Sequence, residues 1–281
     1  MIDGKLKEIG ENMYKLVAID VDGTLVNDDK KLTNRTIEAI KKASKENVKI
    51  VISSARSFYR LKDYLEKLDL LKDEQYTICF NGAVIVQNKT KKTLCSYNFE
   101  IEEINELVNI AEKLKTNILL YSMDNVFTEQ FPKVIENSKS FRNVKFDIVN
   151  FKEKDFKKDK IYKILLVNNS DNILKIRREL PKELLEKYEI TSSIPECIEF
   201  VKKGITKSNA LNNICEKCNI NKSEVIAIGD ADNDIQMIDF AGLGVAMENA
   251  TDLLKEKADY ITSSNNNDGV GEVIEKYILN I

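Results

Sequence analysis

The stretch LVAIDVDGTLVND, residues 16–28, places two acidic residues at the end of a strongly apolar run. Side chains of an extended strand alternate with a period of two, so Asp20 and Asp22 project to the same side while the chain stays extended. Two nearby carboxylates repel each other unless a positive charge lies close to both. The stretch therefore predicts a buried strand whose end meets a cation.

The composition fits a folded protein with a substantial core and excludes several functions. The chain has 281 residues, 43% of them hydrophobic, which suffices for one large or two modest domains. Lys and Arg (43) nearly balance Asp and Glu (46), so charge gives no case for nucleic-acid binding. No apolar run approaches the roughly 20 residues of a membrane span, and the N-terminus lacks the apolar core of a signal peptide. We expect a cytoplasmic protein that binds neither nucleic acid nor membrane.

Histidine is absent, which excludes Ser-His triads, histidine bases and histidine-liganded zinc. The five cysteines mostly lie in apolar surroundings, as reduced thiols do. Cys215 and Cys218 form a CxxC, but their surroundings have helical spacing and the chain offers no second CxxC. Packing on one helix is favoured over a metal or redox role.

Apolar runs and amphipathic stretches alternate at both ends of the chain, which is typical of βαβ units. The first predicted elements are strand 15–20, helix 33–47 with Thr33 as N-cap, strand 48–53, helix 57–70 and strand 76–80. The same alternation returns from about residue 202. Between the two ends the pattern predicts a hairpin over 83–99, a helix over 101–115, further short strands, and helices near 132–140 and 171–187.

The predicted fold class is α/β: a Rossmann-like, doubly wound parallel-sheet core with an inserted α+β cap domain. Short hairpin-linked strands in the insertion favour an antiparallel sheet there. We expect residues 13–83 and 202–281 to form the core, 84–201 the inserted domain, and 1–12 an N-terminal extension.

Polar residues follow several of the core strands, where an open parallel sheet binds ligands. They are Asp20 and Asp22 after the first strand, Ser53, Ser54 and Arg56 after the second, Asn81 and Gly82 after the third, and Asp230, Asn233 and Asp234 after strand 224–229, with Lys207 opening a helix. Converging carboxylates without histidine favour Mg²⁺. The Ser54 hydroxyl, the Lys207 charge and backbone N–H groups of Gly23 and Thr24 suit a phosphate. Together they predict a phosphoryl-transfer site.

Each signal has a simpler alternative. DVDGT alone fits a calcium-type loop or an ordinary turn, and GDADND after a second apolar strand is what argues against both. Arg56 has an alternative role as an ion-pair partner, and Asn81–Gly82 as the turn into the insertion. Ser53 is interpreted as structural.

The motifs resemble, in order, those of the haloacid dehalogenase (HAD) superfamily, and most closely its Cof-type phosphatases with a large α/β cap. DVDGTL, ISSAR with Ser54, KKGITKSNAL with Lys207 and GDADNDIQMI carry the resemblance, which spans about residues 13–281. It implies that Asp20 attacks phosphorus and forms an aspartyl-phosphate, while Asp22 acts as general acid and base. It also implies Mg²⁺ at the Asp20 and Asp230 carboxylates and the Asp22 carbonyl. Ser54 and Lys207 would bind phosphoryl oxygens, with Asn233 on the phosphate side and Asp234 supporting the site.

Three positions depart from the family pattern: Ala55 and Ala231 replace glycine, and Glu248 adds a charge near the rim. Family members commonly start at a position that corresponds to Met13. The expected function is a Mg²⁺-dependent phosphatase for a small phosphorylated metabolite, such as a sugar phosphate or phosphorylated cofactor (FMN or PLP). The alternatives are a phosphomutase on the same core and a non-catalytic regulatory protein. A Rossmann dinucleotide site is excluded because no GxGxxG follows the first strand. The sequence does not indicate the oligomeric state.

Overall fold

The computed structural model describes residues 14–138, 141, 144–192 and 194–281. The predicted extension over 1–12 lies outside the described residues. No helix in the described ranges is long and apolar enough to cross a membrane.

Fourteen strands are formed by the described residues. In chain order they are β1 (Leu16–Asp20), β2 (Lys49–Ser53), β3 (Tyr76–Cys79), β4 (Val84–Gln87), β5 (Thr93–Ser96), β6 (Asn117–Tyr121), β7 (Val126–Thr128), β8 (Phe146–Ile148), β9 (Lys163–Val167), β10 (Tyr188–Thr191), β11 (Cys197–Lys202), β12 (Val225–Gly229), β13 (Leu243–Met247) and β14 (Tyr260–Thr262). The α-helices are α1 (Asn34–Lys45), α2 (Phe58–Lys67), α3 (Ile101–Lys113), α4 (Ser170–Glu179), α5 (Leu184–Lys187), α6 (Lys207–Cys218), α7 (Ile235–Phe240), α8 (Asp252–Lys257) and α9 (Gly269–Ile274).

The larger sheet has the strand order β14-β13-β12-β1-β2-β3-β4-β5. β1 lies between β12 and β2 and runs parallel to both, with Ile19 opposite Ile228 and Asp20 opposite Ser53. All five residues of β1 are buried, which explains why its sequence is continuously apolar up to the acid. The predicted α/β fold with a parallel sheet is confirmed.

β4 and β5 form the predicted antiparallel hairpin, and they extend the larger sheet at one edge. Thr33 is the predicted N-cap of α1, since its side chain accepts a hydrogen bond from the Thr36 amide. The strand and cap signals at the start of the chain are therefore sufficient to place these elements.

The smaller sheet has the order β10-β11-β9-β6-β7-β8 and is antiparallel except between β7 and β8. One of its faces carries an apolar core shared with α3 and α4. Members of this core include Ile104, Leu107, Leu120, Ile164, Leu166, Ile173, Ile176, Ile198 and Phe200. The antiparallel character predicted for the insertion is present in this sheet.

Two helix predictions are wrong. In the described part of 132–140, the chain forms only a short 3₁₀ turn, Lys133–Ile135, directly after Pro132. The helix expected over 171–187 is interrupted: α4 ends at Glu179 and α5 begins at Leu184. Leu180 is extended because it precedes Pro181, a position from which the helical conformation is sterically disfavoured.

The chain forms two compact units. The first comprises residues up to Ser53, Tyr64–Tyr76 and Leu211–Ile281, and the second comprises Ser54–Asp63 and Thr77–Ala210. Residues 54–63, which the predicted core includes, are thus grouped with the six-stranded sheet. The division into core 13–83 and 202–281 and insertion 84–201 stays a prediction.

Candidate active site

Three carboxylates converge in the first unit. Oxygen atoms of Asp20, Asp230 and Asp234 lie within 4.8 Å of one another. Asp20 ends β1 and is only 7% exposed, while Asp230 directly follows β12. The convergence follows from the topology, because β1 and β12 are parallel neighbours whose carboxyl ends meet at one sheet edge.

Asp230 is fixed by the loop that follows β1. The Thr24 hydroxyl donates to Asp230 Oδ1 at 2.7 Å. Gly23 has a φ of +91°, and a Cβ there would lie 2.2 Å from Asp230 Oδ2. Both the left-handed backbone and the close approach require glycine. The DGT sequence therefore positions a carboxylate that is distant in the chain.

Asp234 holds the turn after β12 and lies close to the other two acids. Its Oδ2 accepts hydrogen bonds from the amides of Asp230 (3.1 Å) and Ala231 (3.2 Å), so it holds the turn after β12. The same fully buried carboxylate joins the acidic group. The predicted supporting role of Asp234 fits these hydrogen bonds and stays a prediction.

Asp22 is oriented differently from Asp20. Its side chain is 39% exposed, and Oδ1 lies 2.8 Å from Lys30 Nζ. The loop over 20–26, which contains both acids, is closed by two backbone hydrogen bonds. The Leu25 amide donates to the Asp20 carbonyl (3.2 Å) and the Val26 amide donates to the Val21 carbonyl (3.1 Å). Asp20 is thus buried with the acidic group, whereas Asp22 is accessible to water.

Two asparagines that sequence reasoning missed support this loop. Asn249 Nδ2 donates to the Gly23 carbonyl at 2.8 Å, and the Asn265 amide donates to Asn249 Oδ1 at 2.9 Å. The buried Asn265 side chain also donates to the Val26 carbonyl at 3.1 Å. For Asn265 the only sequence signal was the polar run SSNNND, residues 263–268, which is typical of a solvated loop.

The acidic group fits a hard divalent cation. Its donors are all carboxylate oxygens, the ligand type that Mg²⁺ prefers. Carboxylates this close together raise each other's electrostatic energy, and a bound cation would offset the repulsion. Within the described residues this is the one cluster of three or more such side chains close enough to share a metal ion.

A second group of predicted residues is brought together in the second unit. Ser54 and Lys207 are buried, with Lys207 only 1% exposed. Gly82 has a φ of +111°, and a Cβ there would lie 2.2 Å from the Thr206 carbonyl and 3.2 Å from the Lys207 amide. Glycine at this position therefore lets the chain after β3 approach the first residue of α6.

The loop after β2 is held by backbone hydrogen bonds. The Ser54 amide donates to the Ile78 carbonyl at 2.9 Å, and the Asn81 amide donates to the Ser54 carbonyl at 3.0 Å. The Arg56 amide donates to Ser54 Oγ at 3.2 Å. Asn81 has a φ of +55°, which asparagine tolerates better than most residues. Asn81 thus has a structural part in presenting this loop.

Asn233 and Glu248 are both exposed. Asn233 lies on the 3₁₀ turn Asp232–Asp234, next to the acidic group in sequence. Glu248 directly follows β13. Neither side chain belongs to the acidic group.

The CxxC motif lies on one helix, as its spacing predicts. Cys215 and Cys218 are both in α6, and Cys215 is buried. Burial raises the pKa of the Cys215 thiol to about 12, so it is neutral near pH 7. A neutral, buried thiol is suited to packing.

Comparison with known proteins finds one family of similar proteins over nearly the whole chain. A model of the haloacid dehalogenase-like hydrolase family matches residues 17–274. The chain is 35% identical to the 5-amino-6-(5-phospho-D-ribitylamino)uracil phosphatase YcsE of Bacillus subtilis, over 94% of this chain and 96% of that protein. It is 26% identical to the phosphatase YitU of the same organism, which is named for the same activity, over 93% and 97%. A haloacid dehalogenase-like hydrolase from Bacteroides thetaiotaomicron has a similar crystal structure, with a TM-score of 0.85, 31% identity, and coverage of 94% of this chain and 99% of that one.

Proposed function

The chain belongs to the haloacid dehalogenase-like hydrolase family, in its Cof-type branch, and on that basis we propose that it is a Mg²⁺-dependent phosphatase of small phosphorylated metabolites. The observation that supports this most is the convergence of Asp20, Asp230 and Asp234 at the carboxyl ends of two neighbouring parallel strands. Relatives named as phosphatases support the phosphoric monoester hydrolase class.

In this proposal Mg²⁺ is held by the carboxylates of Asp20 and Asp230 and by the backbone carbonyl of Asp22. Asp234 lies close enough to add its charge to the same site. When bound, Mg²⁺ supplies positive charge that draws the dianionic phosphate toward a cluster of carboxylates.

Asp20 is the proposed nucleophile, because its carboxylate lies in the acidic group at the end of a rigid, buried strand. It attacks phosphorus, the bond to the leaving oxygen breaks, and an aspartyl-phosphate forms. Asp22 gives its proton to the leaving oxygen and then takes a proton from water that attacks the same phosphorus. This second step releases inorganic phosphate and regenerates Asp20. The partial exposure of Asp22 suits a group that exchanges protons with water.

Ser54 and Lys207 are the proposed ligands of the phosphoryl oxygens, with the amides of Gly23 and Thr24 and the Asn233 side chain on the phosphate side. Arg56, Asn81 and Gly82 are proposed to lie on the substrate side. Removing one hydrogen-bond or charge contact of this kind costs about 10²–10³-fold in turnover.

The names of the relatives support a proposed substrate class. Two relatives are named for a phosphorylated ribitylaminouracil, a small polyol phosphate with a heterocycle. That compound is the first candidate substrate, and sugar phosphates, nucleotides, FMN and pyridoxal phosphate complete the panel. We propose that residues of the inserted segment select among these substrates.

The proposal is tested by hydrolysis of a generic aryl phosphate with Mg²⁺ and after chelation. We expect Mg²⁺-dependent release of inorganic phosphate, which also distinguishes hydrolysis from the transfer carried out by a phosphomutase. Asp20→Asn should abolish turnover, whereas Asp29→Asn, an exposed acid on the same loop, should not. Undetectable activity with Mg²⁺, or full activity of Asp20→Asn, would show that the mechanism is wrong.

A further inference from the structure

The six-stranded sheet buries charged side chains on the face opposite its apolar core. Tyr121 and Lys163 are directly paired on β6 and β9, and Glu199 on β11 is paired with Leu165. Since paired residues and residues two apart share a face, all three point to the same side of the sheet. Their exposed fractions are 6%, 7% and 2%, respectively.

Lys163 lies between an acid and an aromatic ring. Its Nζ is 3.2 Å from Glu199 Oε2 and 4.7 Å from the centroid of the Tyr121 ring. Burial raises the pKa of the Tyr121 hydroxyl. The positive charge of Arg60 lowers this pKa, and the negative charge of Glu199 raises it further. A buried ion pair loses hydration that its own attraction often fails to recover. Such a pair is therefore weak evidence of a stabilising role.

Lys163 also contacts the loop that carries two of the predicted site residues. Its Nζ donates to the Ala55 carbonyl at 3.3 Å. Ala55 lies between Ser54 and Arg56, and both its neighbours' carbonyls are held by backbone amides. Asn81 donates to the Ser54 carbonyl at 3.0 Å, and Phe80 donates to the Arg56 carbonyl at 3.2 Å. Three successive carbonyls of this loop thus accept hydrogen bonds, and the middle donor is a buried side chain.

Lys154 has the same two kinds of partner as Lys163, a carboxylate and an aromatic ring, and serves as a comparison for the contact with the 54–56 loop. It belongs to the same compact unit, pairs with Asp159, and lies 4.5 Å from the Phe127 ring centroid. Its side chain is 25% exposed, whereas that of Lys163 is 8% exposed. A carboxylate and a ring are therefore partners that both lysines share, and the Ala55 carbonyl distinguishes Lys163.

We propose that Lys163, oriented by Glu199, is a positioning residue that fixes the 54–56 loop for phosphate binding. The ammonium holds the Ala55 peptide, and this fixes the direction in which the Ser54 hydroxyl and the Arg56 side chain leave the backbone. The consequence for turnover rests on the proposed phosphatase function. The effect on the loop backbone does not depend on it.

The test compares two double variants of the full-length protein. Lys163→Met/Glu199→Gln removes the loop contact without leaving a buried charge unpaired, which a single substitution would do. Lys154→Met/Asp159→Asn is the matched control. Hydrogen exchange of the amides in 54–57, the inhibition constant of inorganic phosphate, and kcat and KM for an aryl phosphate are measured for both, together with Tm.

We expect faster amide exchange over 54–57 in the Lys163 double variant than in the control. We also expect inhibition constant and KM to rise about tenfold while kcat changes little, as loss of one charge-assisted hydrogen bond predicts. Lys163→Arg, which retains a cationic donor, should restore most of the phosphate affinity.

Equal exchange over 54–57 in the two double variants would overturn the inference, whether or not the protein is a phosphatase. A lowered Tm with an unchanged inhibition constant would indicate a purely structural ion pair and would also overturn it. A wild-type protein that hydrolyses no phosphate ester would instead contradict the proposed function, and the exchange comparison would still decide on Lys163.

Discussion

The loops after β1 and β2 are held in place by different kinds of contact. In the loop over 20–28, Gly23 lies directly against the Asp230 carboxylate. The side-chain amides of Asn249 and Asn265 donate hydrogen bonds to backbone carbonyls of this loop. The loop over 54–56 is held by backbone amides and by one buried lysine of the six-stranded sheet. The supports come from different parts of the chain. Metal binding and phosphate binding should therefore respond to different substitutions.

Lys207→Met is expected to change phosphate binding and the Mg²⁺ response by the most different amounts. Removing this buried cation should lower kcat/KM by about 10²–10³-fold and weaken inhibition by inorganic phosphate, because the phosphoryl oxygens lose a charged partner. The Mg²⁺ concentration for half-maximal activity should stay within about threefold of wild type, as Lys207 is proposed to bind phosphate rather than metal. Steady-state kinetics over a Mg²⁺ series measure both quantities.

Lys203→Met is the control, since Lys203 is an exposed cation whose ammonium lies 3.3 Å from the Glu189 carboxylate. It should behave as wild type. If Lys207→Met changes the Mg²⁺ response as strongly as the phosphate affinity, the two functions are not separable and the comparison is wrong.

Gly23→Ala should act on the metal side with an intermediate effect. The new Cβ would meet Asp230 Oδ2 at 2.2 Å, so the acid must move. We expect the half-saturating Mg²⁺ concentration to rise by about 10–100-fold, the range for residues that orient a metal ligand. Inhibition by phosphate, measured at saturating Mg²⁺, should weaken less than in Lys207→Met, since the Gly23 amide is only one of the proposed phosphate contacts.

Gly204→Ala is the control that distinguishes the strain of a positive φ from the steric clash with Asp230. Gly204 also has a positive φ, +73°, but a Cβ there would meet no heavy atom within 4 Å. It should lose only about 1 kcal/mol of unfolding free energy and retain the wild-type Mg²⁺ response. Equal Mg²⁺ responses in the two alanine variants would exclude Gly23 as a determinant of the metal site.

Asn265→Ala should give the smallest change. The variant leaves the buried Val26 carbonyl without this donor, which costs about 1–3 kcal/mol of unfolding free energy. Loosening of the 20–28 loop should raise the half-saturating Mg²⁺ concentration by about threefold to tenfold. Thermal unfolding and Mg²⁺ titration of activity check the two effects, with the exposed Asn267→Ala as control. Matching results for Asn265→Ala and Asn267→Ala would remove the amide network from the account.

The sequence was sufficient for much of the fold and for naming the three acids that the structure brings together. Apolar strands that end in Asp20 and Asp230 are local patterns, and parallel topology makes their ends meet. One of the two helix errors has a local cause as well, because Pro181 interrupts a segment whose apolar spacing remained helical. Proline should have taken precedence over periodicity there.

The supporting contacts were not predictable in the same way. Asn265 and Val26 are 239 residues apart, and a side-chain amide that meets a distant carbonyl leaves no periodic pattern. Lys163 begins the otherwise apolar strand KILLV (163–167), and Glu199 is the one charged residue in CIEFV (197–201). Both side chains are buried, which their charge does not suggest. Such positions depend on what covers the sheet, which local sequence does not specify.

The most direct test of the central claim is to look for the phosphoryl group on Asp20. Asp22→Asn should form the aspartyl-phosphate from an aryl phosphate with a good leaving group, but hydrolyse it slowly, because the proposed base is missing. The protein is mixed with this substrate and Mg²⁺, quenched in acid and digested, and the peptide over residues 16–30 is analysed by mass spectrometry. We expect one phosphoryl group, on Asp20. Release of the aryl group with no phosphoryl adduct on this peptide, or with an adduct on another residue, would contradict it.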